Sequence, residues 1–109
     1  MVFTESETGL VVEGVLNEAN SGEFASRLIH LQIDPHRPLV LDLGRLDIED
    51  ELALAVAVTS LRELRRRVSK LVLIGAPQIL GHNLYRVGAL EGARAIELVD
   101  MRLDEPSPP

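Results

Sequence analysis

Four carboxylates crowd one short stretch, Asp47, Glu49, Asp50 and Glu51. Oxygen ligands at that density could hold a divalent cation. A calcium loop, however, alternates its oxygen ligands around a glycine that makes the sharp turn, and this stretch has neither the alternation nor the glycine. It is read as a solvated loop and helix start, and no metal is assigned. His30, His36 and His82 are scattered, without an i, i+4 pair, and are read as surface or cap residues rather than ligands. Gly75-Ala76-Pro77 has neither the length nor the Lys-Ser/Thr of a phosphate-cradling loop. The chain has no cysteine, which removes disulfides, thiolate nucleophiles and zinc–thiolate sites together. A hydroxyl nucleophile needs a base beside it, and the sequence shows no serine–histidine neighbourhood. No catalysis and no cofactor are expected.

Any site must therefore be built from surface. The 109 residues are 46% hydrophobic, 3% aromatic and 26% charged, which describes one small globular domain with an aliphatic core. A chain this short buries roughly two-thirds of its unfolded surface, leaving little room for a deep pocket. The net charge of −6 is the wrong sign for phosphate neutralisation, so nucleic acid is not an expected partner. The one basic run, Arg62-Glu63-Leu64-Arg65-Arg66-Arg67, suits the negative end of a helix macrodipole and has no aromatic residues interleaved. No apolar run approaches the roughly 20 residues of a membrane span, and Met1 to Glu7 lacks the basic start and apolar stretch of a signal peptide. No membrane insertion and a cytoplasmic location are expected.

Gly9 to Leu16 reads as a strand, with Phe3 to Glu7 a possible antiparallel partner across a Glu7-Thr8-Gly9 turn. Asn20-Ser21-Gly22-Glu23 resembles a capping box, and Phe24, Leu28 and Leu31 form the stripe of a helix that Pro35 and Pro38 end. Leu39 to Leu43 is almost continuously apolar, which predicts a strand buried on both faces. A second helix is expected from Asp50 to Arg67. A strand at Leu71 to Ile74, a helix from Gln78 to Leu90 and a short strand at Ala95 to Val99 follow. The Pro-rich tail 104–109 is expected to be disordered, leaving a domain over 1–103. The order β-β-α-β-α-β-α-β predicts an α/β fold: a mixed sheet of four to five strands, largely parallel, in a single layer with helices mainly on one side.

The second helix carries an anomaly. From Leu52 to Val58 it reads Leu-Ala-Leu-Ala-Val-Ala-Val, apolar around its whole circumference. A buried stripe runs through Leu54, Ala57, Val58 and Leu61, which leaves Leu52 and Val56 on another side. Two apolar sides on one helix mean either deep burial or a docking surface, and periodicity does not choose between them.

The stretch Leu39-Val40-Leu41-Asp42-Leu43-Gly44-Arg45-Leu46-Asp47-Ile48-Glu49-Asp50 resembles the signature of the STAS family, the sulfate transporter and anti-sigma factor antagonist domain. There a buried strand leads through a short apolar loop to Asp-Ser-Ser-Gly-Leu at a helix start. Gly14-Val15-Leu16 with Asn20, Leu71-Val72-Leu73-Ile74-Gly75 and Leu84-Tyr85-Arg86-Val87-Gly88 resemble further family segments in the same order. The resemblance spans about Gly9 to Met101. It implies that Asp50 matches the family's aspartate, Glu51 the first serine, Leu52 the second, Ala53 the glycine and Leu54 the buried leucine. The second serine is phosphorylated in partner-switching members. Leu52 is thus a degenerate phosphosite position, with no hydroxyl from Ile48 through Val58. Glu51 could stand as a fixed negative charge at that helix start.

The resemblance further implies that the start of this helix is a partner surface, made here of Asp50, Glu51, Leu52, Ala55 and Val56. The implied partners are an anti-sigma factor or kinase-like ATPase, or the ATPase of a lipid ABC transporter on which this chain docks as an accessory subunit. A homodimer, or self-associating scaffold, through the same patch is a further reading. A phosphoacceptor receiver domain would also use an aspartate at a strand end, as Asp42 stands. It requires an acidic pair after the first strand and a lysine after the last. Glu13 stands alone, and Ala95 to Asp100 contains no lysine.

Overall fold

The computed structural model describes residues 1–7 and 9–102. Thr8 of the expected turn and the Pro-rich tail lie outside these described residues. The elements are β1 (Val2–Glu5), β2 (Gly9–Leu16), α1 (Ser21–Ile29), β3 (Leu39–Ile48), α2 (Glu51–Arg65), β4 (Leu71–Ile74), α3 (Gln78–Arg86) and β5 (Glu97–Val99). One five-stranded sheet takes them in chain order, β1-β2-β3-β4-β5. The β1–β2 pair is antiparallel and every later pair parallel. Each parallel crossover steps the same way across the sheet, and right-handed crossovers then place all three helices on one face.

Burial follows from that arrangement. Leu10, Val12, Leu16, Leu39, Leu41, Leu43, Leu46, Leu71 and Leu73 are buried beneath the helices. They meet Phe24 and Leu28 of α1, Ala53, Ala57, Val58, Leu61 and Leu64 of α2, and Leu80 and Leu84 of α3 in one core cluster. The expectation that the third strand is buried on both faces is corrected: Val40 and Asp42 are only half-buried, as are Val72 and Ile74. Among the described residues no helix covers the second face, so the strand alternates despite its nearly continuous apolar sequence.

Several element ends and one expected cap also differ from the sequence reading; β1 runs from Val2 to Glu5, α2 ends at Arg65 and β5 begins at Glu97. The strand expected to stop at Leu43 continues to Ile48, because Glu13 to Leu16 of β2 pair with Arg45 to Ile48 after a register shift between Val11 and Glu13. Asn20 precedes α1 but makes no capping hydrogen bond to it. Its Oδ1 accepts the Asn17 amide at 2.8 Å and its Nδ2 donates to the Val15 carbonyl at 2.8 Å, which closes the β2–α1 turn instead. The helix α3 stops at Arg86 rather than Leu90. Gly88, at φ 75°, takes a left-handed turn in which Ala89 N donates to Leu84 O and Gly88 N to Tyr85 O. Those two bonds are the Schellman closure of a helix C-terminus.

Candidate functional site: the start of α2

Asp50 caps α2. Its backbone is extended and its Oδ1 accepts the Ala53 amide at 2.8 Å, the bond that satisfies an orphan donor of the first turn. Its Oδ2 accepts the Glu18 amide at 2.9 Å. One carboxylate therefore ties the β2–α1 turn to the start of α2. Asp50 belongs to the expected partner surface by position, yet both of its oxygens are already engaged within the domain.

The other four expected surface residues separate by depth. Glu51 and Ala55 are exposed, Val56 is half-buried, and Leu52 keeps 50% of its surface open to solvent. Ala53, one position on, is fully buried against the sheet. The buried line of the helix is Ala53, Ala57, Val58, Leu61 and Leu64. The expected stripe is confirmed at Ala57, Val58 and Leu61, whereas Leu54 sits at the core edge, partly buried. Alanines at 53 and 57 let α2 lie close on the sheet. The second apolar side, Leu52, Ala55 and Val56, consequently faces away from the core.

Three of the four arginines of the basic run are engaged around the end of the same helix. Arg65 Nη1 donates to the Ala89 carbonyl at 3.0 Å and Arg67 Nη1 to the Leu28 carbonyl at 3.2 Å. Arg66 pairs with Glu63 at 3.6 Å, and Arg94 reaches the Arg66 carbonyl at 2.9 Å.

The remaining chemistry-bearing residues do not assemble. Asp42 accepts the Gly44 amide at 3.0 Å on the open sheet face. A Ser–His neighbourhood does exist, contrary to the sequence reading: Ser26 Oγ lies 3.4 Å from His30 Nδ1, one helical turn away. That nitrogen is closer to the Ser26 carbonyl oxygen, at 2.8 Å. A carbonyl can only accept, so Nδ1 carries the proton and is no base for the hydroxyl. Among the described residues no group of three or more His, Asp or Glu could hold a metal ion, and no helix is long and apolar enough to cross a membrane.

Arg102 is the residue that sequence reasoning missed. Its Nε donates to the Gly75 carbonyl at 2.8 Å and its Nη2 to the carbonyls of Leu43, at 3.3 Å, and Leu46. Its Nη1 lies 3.4 Å from Asp47. Arg102 thereby clamps β3, at Leu43 and Leu46, to the residue that follows β4, near where α2 and α3 depart. Beside the clamp, Gly75 has φ 67°, and a Cβ there would stand 2.8 Å from Gly44 Cα. Only glycine fits this crossing. A lone arginine after a short strand carries no sequence signal for such a role.

Comparison with known proteins agrees with the topology. The family model of the STAS domain matches residues 2–100, while a search of curated proteins finds no match to the sequence. With nearly the whole described chain matched, and with the mixed sheet carrying its helices on one face, this chain belongs to the STAS domain family.

Proposed function

We propose that the chain is a non-catalytic protein–protein interaction domain of a bacterial, cytoplasmic regulatory pathway, similar to anti-sigma factor antagonists, and that it docks through the first two turns of α2. The supporting observation is Leu52. It is a large aliphatic side chain left half open on a helix whose neighbouring residue is fully buried. It also occupies the position that the family resemblance gives to a phosphorylated serine. With leucine there, docking is not switched by phosphate at that position. Glu51 supplies a constant acidic edge beside it.

The test is affinity capture from source cells with wild-type protein and the Leu52→Asp variant side by side. An aspartate in the first turn suits the helix macrodipole, so the variant should melt within about 0.5 kcal/mol of wild type, the range of surface substitutions. An anti-sigma or kinase-like ATPase recovered only by wild type supports the regulatory reading. A transporter ATPase recovered only by wild type moves the chain to an accessory subunit of lipid transport. Equal recovery by both baits rejects the α2 surface.

A further inference from the structure

The helices α1 and α2 run parallel. At one end Glu18 N meets Asp50, and at the other Arg67 meets the Leu28 carbonyl. Between them lies an open groove of about 560 Å³. Ala25 and Ile29 form one wall, Ala55, Val56 and Thr59 the other. Ile29 is 60% exposed, the same order as Leu52, which lies one turn before Val56 on α2. Gly22, one turn before Ala25, has open space where a Cβ would stand.

The charges around this groove are unevenly placed. Its middle is uncharged. At the far end Glu63 is paired with Arg66, and Arg67 is occupied by a carbonyl. Beyond the near end, one turn before Ala55 and beside Asp50, Glu51 and Glu18 are exposed and enter none of the ion pairs among the described residues. The groove thus presents an aliphatic floor with unneutralised negative charge at one end only.

We infer that this groove receives an amphipathic helix of a partner protein, with aliphatic anchors along one face and Lys or Arg at the end that meets Glu18 and Glu51. A third helix lies naturally between two parallel ones at the usual 8–10 Å axial spacing, and the small residues Gly22, Ala25 and Ala55 allow that approach. From Ala55 to Arg67 the groove runs about 18 Å, or some three turns, which fits anchors at i, i+3 or i+4, and i+7. A second copy of this chain fits poorly. Each copy carries a net charge of −6 and repels the other, and three arginines of its basic run, Arg65, Arg66 and Arg67, are already engaged within the domain. The inference rests on the docking reading given above and extends it from the head of α2 to the length of the groove.

The probe is a display library of helix-biased peptides about 15 residues long, some four turns, selected on the wild-type domain. Recovered peptides should carry the stated apolar spacing with a basic end. In fluorescence anisotropy they should bind at least about tenfold more weakly to Ile29→Glu, the loss expected at an anchor pocket. Their affinity for Glu51→Lys should fall and lose its dependence on salt. Ile29 is exposed, so its substitution leaves the melting temperature unchanged and a binding loss is not unfolding. Selection of nothing, of peptides without helical spacing, or of peptides indifferent to Ile29→Glu overturns the inference. So does a concentration-dependent mass of the domain alone that Ile29→Glu abolishes, which assigns the groove to a second copy. A cellular partner lost by Leu52→Asp but kept by Ile29→Glu upholds docking at α2 and rejects the groove. A partner kept by Leu52→Asp and lost by Ile29→Glu does the reverse.

Discussion

Asp50 separates a structural role from a recognition role in one residue, and two substitutions divide them. Asp50→Ala removes the acceptor for the Ala53 amide and the acceptor for the Glu18 amide. Loss of an N-cap costs about 1 kcal/mol. Loss of the second bond, a carboxylate accepting an exposed backbone amide, adds about 1 kcal/mol. The sum of about 2 kcal/mol lowers the midpoint of thermal unfolding by about 10 °C in a domain of this size. Asp50→Asn keeps one oxygen, which caps about as well as aspartate, but its amide nitrogen cannot accept the Glu18 amide. It should therefore lose about half as much as alanine, about 5 °C, while removing the charge. Circular dichroism on the three proteins reads both effects. If Asp50→Ala melts with wild type, or if asparagine destabilises as much as alanine, the two-bond account of this carboxylate is wrong. If asparagine folds normally and partner capture is unchanged, the acidic edge of the docking surface reduces to Glu51.

Gly75→Ala should cost about 2–3 kcal/mol by urea titration, because it combines a positive φ with a Cβ pressed on Gly44; a neutral result would refute the crossing geometry. Arg102→Ala leaves the carbonyls of Leu43, Leu46 and Gly75 without their donor and should cost about 2 kcal/mol. Arg102→Lys should restore only part of that, since an ammonium cannot reproduce the planar fork; full rescue would show that charge alone suffices. Leu61→Ala, at a fully buried position, should lose about 2–5 kcal/mol, while Leu52→Ala on the same helix stays within about 0.5 kcal/mol. Similar losses at both positions would place Leu52 in the core.

Residues with local causes were legible in the sequence. Leu71 to Ile74 is apolar, flanked and short, and its strand has the expected bounds. The element order and the antiparallel start also follow the pattern of turns and β-branched residues. What stayed hidden depends on a distant partner. β3 runs to Ile48 because β2 shifts register beside it, and Arg102 matters because carbonyls up to 59 positions away converge on it. Gly88 did carry a local signal, a glycine after a basic helix end, which the longer apolar pattern to Leu90 obscured. At α2 the sequence was ambiguous for a physical reason. Alternating Leu, Ala and Val offer two usable faces, and only the sheet's choice of Ala53 and Ala57 as the contact line leaves Leu52 outside.

The order of strands in the sheet repeats their order in the chain, and this has a kinetic consequence. Every strand pairs with the one made just before it, so no pairing waits for a distant segment and each loop closure is short. A nascent chain can therefore extend the sheet as it leaves the ribosome, adding one crossover at a time. Arg102, in the last described residues, is the exception. It reaches back across the finished strands to Leu43 and Leu46, so the ends of β3 and β4 become locked only after β5 has been made.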